Sequence, residues 1–269
     1  MASLQVLRGL GKISTLMEAA GVTSSVWYAQ KGAPADIVSL VALGNKKFGS
    51  IMEHITCNLF DCTKVKDEEG KTGWDMNKNN SRFELKSSRF WRVQNKHFWR
   101  WQHILADHEW AYLMCAGVDF QQIRYFALSK PQFINLIELG IITQQGGAGG
   151  QGCWFCSEDI LGRIHEFKTP TAENGTLSEQ LDTFITENPA SCAAISTEAI
   201  NAALLQGTQV REKKKEAKKE KREAEKAAKE ADKAAKKEKR DAERAAKKAA
   251  KEADKAAKKA ERALKKSKK

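Results

Sequence analysis

No run of eighteen or more apolar residues occurs in the 269-residue chain, so no membrane-spanning helix is expected. The opening stretch, MASLQVLRGLGKISTLMEAAG, lacks a continuous apolar core and a clear small-residue cleavage site, and no secretory signal is expected. Arg8 and Lys12, with no acid before Glu18, give it a faint transit-peptide character, but an ordinary amphipathic first helix is the preferred reading. The six cysteines (57, 62, 115, 153, 156 and 192) lack any disulfide-framework spacing, which points to reduced thiols and a cytoplasmic protein. Net charge is nearly absent from the first 210 residues, which hold 19 basic and 21 acidic side chains. Residues 211–269 lack every Trp, Phe, Tyr, Cys and Pro, yet carry 27 basic and 13 acidic side chains, a net of +14. The overall +12 therefore describes a tail, and basicity says nothing of nucleic-acid binding by the body.

The body reads as an α/β (α+β) domain with a central mixed sheet of about five strands flanked by helices. In PADIVSLVALGNKKFGSIMEHITCNLF (34–60), Phe48, Ile51, Met52, Ile55 and Leu59 share one helical face, with Glu53 beside it. DEEGKTG (67–73) is a loop, and WDM, NKNN and SRFELKSS read as a hairpin with an Asn-rich turn. AYLMCAGVDF (111–120) and IRYFALS (123–129) look like buried strands. PQFINLIELG is a helix with Pro at its start and Gly at its end. IITQQGGAGGQGCWF is strand, glycine loop and strand, and SEDILGRIHEF opens with a capping signal at Ser157. SEQLDTFITENP and STEAINAALL are expected to be small helices of a loosely packed extension, 169–210.

The tail repeats with a period of 11: KEADKAAKKEK, RDAERAAKKAA and KEADKAAKKAE align without gaps. Eleven residues in three turns is 3.67 per turn, so the recurring alanines form one stripe on a long Lys/Ala-rich helix. The stripe is too small in apolar area to build a core; the expectation is a solvated single helix or a weak coiled coil.

The chemistry concentrates in SRFELKSSRFW (81–91). Strand alternation sends Glu84 and Lys86 to one side, while Phe83 and Leu85 face the core. Asp75, between Trp74 and Met76 on the preceding strand, also faces away from its apolar neighbours. An Asp and a Glu converging from adjacent strands offer hard oxygens suited to Mg²⁺, with a lysine at the rim. Such a set suits phosphodiester hydrolysis. On spacing alone, a hairpin with ordinary surface charges is the better explanation of D-x8-E-x-K, and E-x-K recurs in the tail.

The pieces NKKFGSIMEHI, WDM…FELKSSRFW, FWRWQHI and EWAYLMCAGVDFQQIRYFALSK together resemble the PD-(D/E)XK nuclease superfamily, type II restriction endonucleases in particular. The resemblance covers residues 45–130. It implies a helix bearing an acid, a strand with Asp, a strand with Glu-x-Lys, a helix, and two core strands. Asp75, Glu84 and Lys86 match the family's active-site positions, and Glu53 its accessory acid. Gln102 falls where many members place a polar helix residue near the site. The stretch reads Trp74-Asp75-Met76-Asn77, so the proline of the motif's name is absent. A restriction-endonuclease-like core is implied, with Asp75 and Glu84 as ligands of Mg²⁺ or Mn²⁺.

Arg89, Arg92, Lys96 and Arg100 alternate with Phe90, Trp91, Phe98, Trp99 and Trp101. The cations could track DNA phosphates, while most of the aromatics are expected in the core. The glycine loop at 146–152 could enter a groove or simply join two strands. Cys153 and Cys156 form a lone C-x-x-C without a second pair for zinc, and His103 and His108 miss the spacing of a helical metal pair. The reading is a nuclease domain (1–168), a helical extension (169–210) and a basic tail (211–269). Its expected activity is Mg²⁺-dependent cleavage of double-stranded DNA, as a homodimer at a palindromic site with a companion DNA methyltransferase. Rival readings are a repair or structure-selective nuclease, a non-catalytic DNA-compaction protein acting through its tail, and a tail that binds a protein.

Overall fold

Helices and strands follow the polarity pattern closely enough that the core can be built from the sheet outward. The computed structural model describes residues 22–65, 73–93, 96–145 and 152–267. The expected N-terminal helix, most of the 67–73 loop, and Gly146, Gly147, Gly149 and Gly150 lie outside the described residues. In chain order the helices are α1 (Val22–Gln30), α2 (Ala35–Ala42), α3 (Asn45–Phe60), α4 (Lys130–Glu138), α5 (Ser157–Ile160), α6 (Leu177–Glu187) and α7 (Thr197–Ser267). The strands are β1 (Thr63–Lys64), β2 (Met76–Lys78), β3 (Ser81–Val93), β4 (Lys96–Ile104), β5 (Tyr112–Val118), β6 (Ile123–Ser129), β7 (Thr143–Gln144), β8 (Cys153–Cys156) and β9 (His165–Glu166).

Among the described residues nine strands form one sheet, larger than the five expected, because short edge strands with little sequence signal join it. Its order is β7-β8-β4-β3-β5-β6-β9, with β2 also on β3 and β1 on β2. Among the described residues only β3 and β5 run parallel; the other pairs are antiparallel. Strand β5 is buried at all seven positions because both sheet faces are covered. One face carries Phe83, Leu85, Met114 and Ala127 against Phe48, Met52 and Phe60 of α3 and Leu181 and Phe184 of α6. The other carries Leu113, Cys115, Phe126 and Leu128 against Trp99, Trp101 and Phe133.

The resemblance implies a helix at FWRWQHI, but the structure has β4 there. Trp99 and Trp101 are buried while Arg100 and Gln102 alternate with them, a period of two that suits β-compatible aromatics in a sheet. The two indoles are tied across β5: Trp99 Nε1 donates to Val118 O at 3.0 Å and Trp101 Nε1 to Ala116 O at 3.1 Å. Helix α3 also turns differently from the expectation. Met52, Thr56, Cys57 and Phe60 face inward, whereas Ile51 and Leu59 are 39% and 45% exposed. Thr56 is tolerated inside because its hydroxyl donates to Met52 O at 2.7 Å.

Helix α4 begins as expected, with Pro131 in its first turn and a Ser129–Gln132 capping box. Ser157 does not cap α5; Cys156 is its N-cap, and the Ser157 hydroxyl accepts from Trp99 N at 3.0 Å. The 169–210 segment is packed, not loose. Besides Leu181 and Phe184, it supplies partners to two buried lysines. Lys78 Nζ donates to Phe60 O at 2.8 Å and Ser178 Oγ at 2.6 Å, and Lys130 Nζ to His108 O and to Ala193 O at 3.1 Å. STEAINAALL is the beginning of α7, not a separate helix. Gly207 allows close approach to α4: an added Cβ would sit 3.1 Å from Gly140 Cα and overlap Ile137 O.

The chain divides into two units, Met1–Arg211 and Glu212–Lys269. Among the described residues no helix is long and apolar enough to cross a membrane.

Candidate active site

The hairpin that carries the candidate residues forms for a local reason. Asn79 and Asn80 hold φ of 48° and 61°, the left-handed pair of a type I′ turn, and set Lys78 opposite Ser81 and Met76 opposite Phe83. β5 occupies one edge of β3 from Phe83 to Arg89. On the other edge β2 pairs up to Phe83 and β4 begins at Phe90, so residues 84–89 have no strand partner on that side.

Asp75 fills the start of this gap. Its N–H donates to Phe83 O at 2.8 Å, and its Oδ2 accepts from Leu85 N at 2.7 Å, satisfying the first N–H beyond the end of β2. Glu84 and Lys86 project from the same side of β3, and Lys86 Nζ is ion-paired with Glu84 Oε1. Glu84 is 7% exposed, more deeply set than an outward-facing strand position, because its face is covered by the cluster around Leu113 and Trp110. Glu53 comes from α3 and pairs with Lys64 of β1 at 2.7 Å. Lys64 has no sequence signal: the register of β1 on β2, which sets it opposite Met76, brings it here.

The electrostatics tie these groups together. Burial, then the charge of Glu84, pushes the Asp75 carboxyl up to about 7; the Leu85 N–H and Lys86 oppose this, and Glu53 adds to it. Burial also raises Glu84, against the charge and hydrogen bond of Lys86, with Glu53 contributing. An Asp75 carboxyl raised from 3.8 holds its proton more tightly when folded. Its contribution to stability is present below about pH 4 and is lost as pH rises through about 7. Thermal melts in EDTA are therefore expected to show stability falling across that window, and Asp75→Asn to flatten the fall. An unchanged slope in the variant would contradict the environment described.

Three acids (Glu53, Asp75, Glu84) share this region with two lysines (Lys64, Lys86). Among the described residues no group of three or more His, Cys, Asp or Glu side chains is arranged to hold a metal unaided. Asp75 and Glu84 nonetheless supply the donor set of a magnesium site that uses one or two carboxylates and leaves its other positions to water and phosphate. A cation there would offset the negative charge that raises Asp75. The residues fit the ion.

The other expected residues fare differently. Gln102 lies on β4, and by alternation from Trp99, which pairs with Phe90, it takes the face opposite Glu84 and Lys86. It is not brought to the site. Arg89 is committed inside: its guanidinium donates to Asn45 Oδ1 at 2.9 Å and to Leu43 O, over the Phe48 ring at 4.1 Å. Burial lowers its pKa. Arg100 is half-buried between Trp91 and Trp154, 4.6 and 4.9 Å from their ring centres. Arg92 and Lys96 are exposed, Lys96 lying 3.4 Å from Glu158. Of the expected phosphate-contacting cations, these two keep an exposed position. Phe98, Trp99 and Trp101 are buried as expected of core aromatics.

All six cysteines are free thiols. Cys153 and Cys156 are both buried, and burial pushes Cys153 up to about 11. Comparison with family models, curated proteins and solved structures returns no match, so the geometry described above carries the functional argument alone.

Proposed function

We propose that the chain is a Mg²⁺-dependent endonuclease that hydrolyses phosphodiester bonds of double-stranded DNA, in the manner of a type II restriction enzyme. The observation that carries the reading is the gathering of Asp75, Glu84 and Lys86 at the gap between β2 and β4 along one edge of β3. A surface hairpin has no need of a carboxylate raised to about 7 beside a second, buried carboxylate. Asp75 and Glu84 would hold the cation, which supplies Lewis-acid polarisation of the phosphate. Lys86, an ammonium two residues from Glu84, orients the attacking water and offsets the negative charge that develops on the phosphate oxygens. Glu53, held by Lys64, keeps the pocket anionic and favours cation entry.

A palindromic target calls for a homodimer, and a restriction role for a companion methyltransferase. Incubating the full chain with supercoiled plasmid and Mg²⁺ tests the reading. Discrete linear fragments, lost in EDTA, support it; a smear moves the assignment to nonspecific or structure-selective cleavage. Retarded but intact plasmid at every Mg²⁺ and Mn²⁺ concentration overturns it.

A further inference from the structure

The tail's charge is arranged, not merely abundant. Lys215, Lys218 and Arg222 begin a row that continues at the same three positions of each successive eleven, ending at Lys259, Arg262 and Lys266. All fifteen positions of the row are Lys or Arg. On the continuous α7 helix, steps of three, four and four residues keep the row within one narrow strip. The recurrent alanines at 231, 234 and 235 and their repeats fall on the opposite strip, and the acids at 230 and 232 and their repeats lie between the two. From Lys215 to Lys255 every cation of the row is exposed. The tail's ion pairs between described side chains, Lys219–Glu223 at 3.9 Å and Lys236–Asp232 at 2.7 Å, both use cations outside the row.

We infer that this strip is a linear binding surface for the phosphate backbone of duplex DNA, and that the one-sided row, beyond net charge, sets its affinity. The row spans roughly 75 Å at about 5.5 Å per cation, from a rise of 1.5 Å per residue. Between Lys215 and Lys266 the sole branched apolar residue is Leu264, in register with the alanine strip, and there is no aromatic, so the row is not built to read a shaped protein surface. The alanine strip has too little apolar area to seat the helix in a bilayer. A long, regular polyanion with about one charge per 1.7 Å of axis presents phosphates along the whole row. The inference deepens the nuclease reading by giving the body a sequence-independent hold on its substrate. It does not depend on cleavage.

The test is fluorescence anisotropy of the full-length protein with a 40-bp duplex in EDTA, from about 50 to 200 mM salt. One variant moves cations off the row at constant composition: Lys229→Ala with Ala231→Lys, Arg240→Ala with Ala242→Arg, and Lys251→Ala with Ala253→Lys. A control exchanges cations already outside it: Lys236→Ala with Ala235→Lys, and Lys247→Ala with Ala246→Lys. The first is expected to bind at least about tenfold more weakly at low salt with a shallower salt slope, the control within about twofold of the parent. Circular dichroism establishes equal helicity; if the first variant loses helix, Lys229→Gln, Arg240→Gln and Lys251→Gln replace it, with Lys236→Gln, Lys247→Gln and Lys258→Gln as the charge-matched control. A first variant that binds like the parent would show that net charge alone binds DNA and overturn the inference, and equal losses in both variants would overturn it as well. So would capture by anionic vesicles or polyglutamate without DNA binding. Binding as expected without cleavage in Mg²⁺ would instead sink the nuclease reading and leave this one standing.

Discussion

Glu84→Gln is expected to lower Mg²⁺-dependent cleavage by about 10³-fold or more while the folded signal in circular dichroism stays unchanged. The size follows from what is removed: one of two anionic ligands for the cation whose charge stabilises the transition state. Glutamine keeps the shape of a side chain that is 7% exposed and can still accept from Lys86, so the core around Leu113 is not opened. Asp75→Asn is expected to show a comparable loss, because its amide can still meet Leu85 N but carries no charge for the ion. Lys86→Ala should cost activity as severely, and Lys86→Arg should recover part of it only if a cation at that position suffices. Cleavage by Glu84→Gln within tenfold of the parent would end the proposed mechanism. Supercoiled-to-linear conversion at saturating DNA separates this from weakened binding.

Gly117→Ala is expected to destabilise the protein by about 3 kcal/mol, the upper part of the overpacking range, although it adds a single methyl. Gly117 lies on β5 beneath the Trp99 indole, and an added Cβ would sit 2.5 Å from Cε2 and closer still to Cδ2. The ring has nowhere to retreat. Its Nε1 is bonded to Val118 O at 3.0 Å, its face stacks on Phe90 with centroids 4.9 Å apart, and Trp101 and Phe126 close the other sides. Urea titration should show a lower midpoint with an unchanged slope. Stability within about 0.5 kcal/mol of the parent would mean that the sheet relaxes in a way its packing does not suggest.

The legible parts of this chain were those governed by local rules. Asn79-Asn80 announces its own turn, and the register that follows brings Asp75 beside Glu84. AYLMCAGVDF and IRYFALS admit little besides buried strands, and Pro131 with Gly140 bounds α4. What sequence reasoning missed depends on distant partners. The α3 stripe drawn through Phe48, Ile51, Met52, Ile55 and Leu59 is right at Phe48 and Met52, but Thr56, Cys57 and Phe60 complete the buried face, and only the neighbouring strands decide that rotation. Arg89 looked like a phosphate ligand because nothing near it in sequence reveals that Leu43 O and Asn45 wait for its guanidinium. Gln102 was carried to the site by an implied helix, whereas the alternating tryptophans on either side of Arg100 were already the better guide. Lys64, the partner of Glu53, follows only from the two-residue pairing of β1 with β2.

The two buried lysines bear on where this protein can be cut. Lys78 and Lys130 are ammonium groups almost without solvent, 8% and 2% exposed, and each draws an oxygen from beyond residue 168. Trimming the chain there would strip Ser178 from one and Ala193 from the other. Each ammonium would lose part of its protein solvation, Lys78 also its Asp182 ion pair at 3.5 Å, and would be left to the water that the segment excludes. Leu181 and Phe184 would leave a void beside α3 in the same stroke. The segment after 168 is therefore a wall of the compact unit that ends at Arg211.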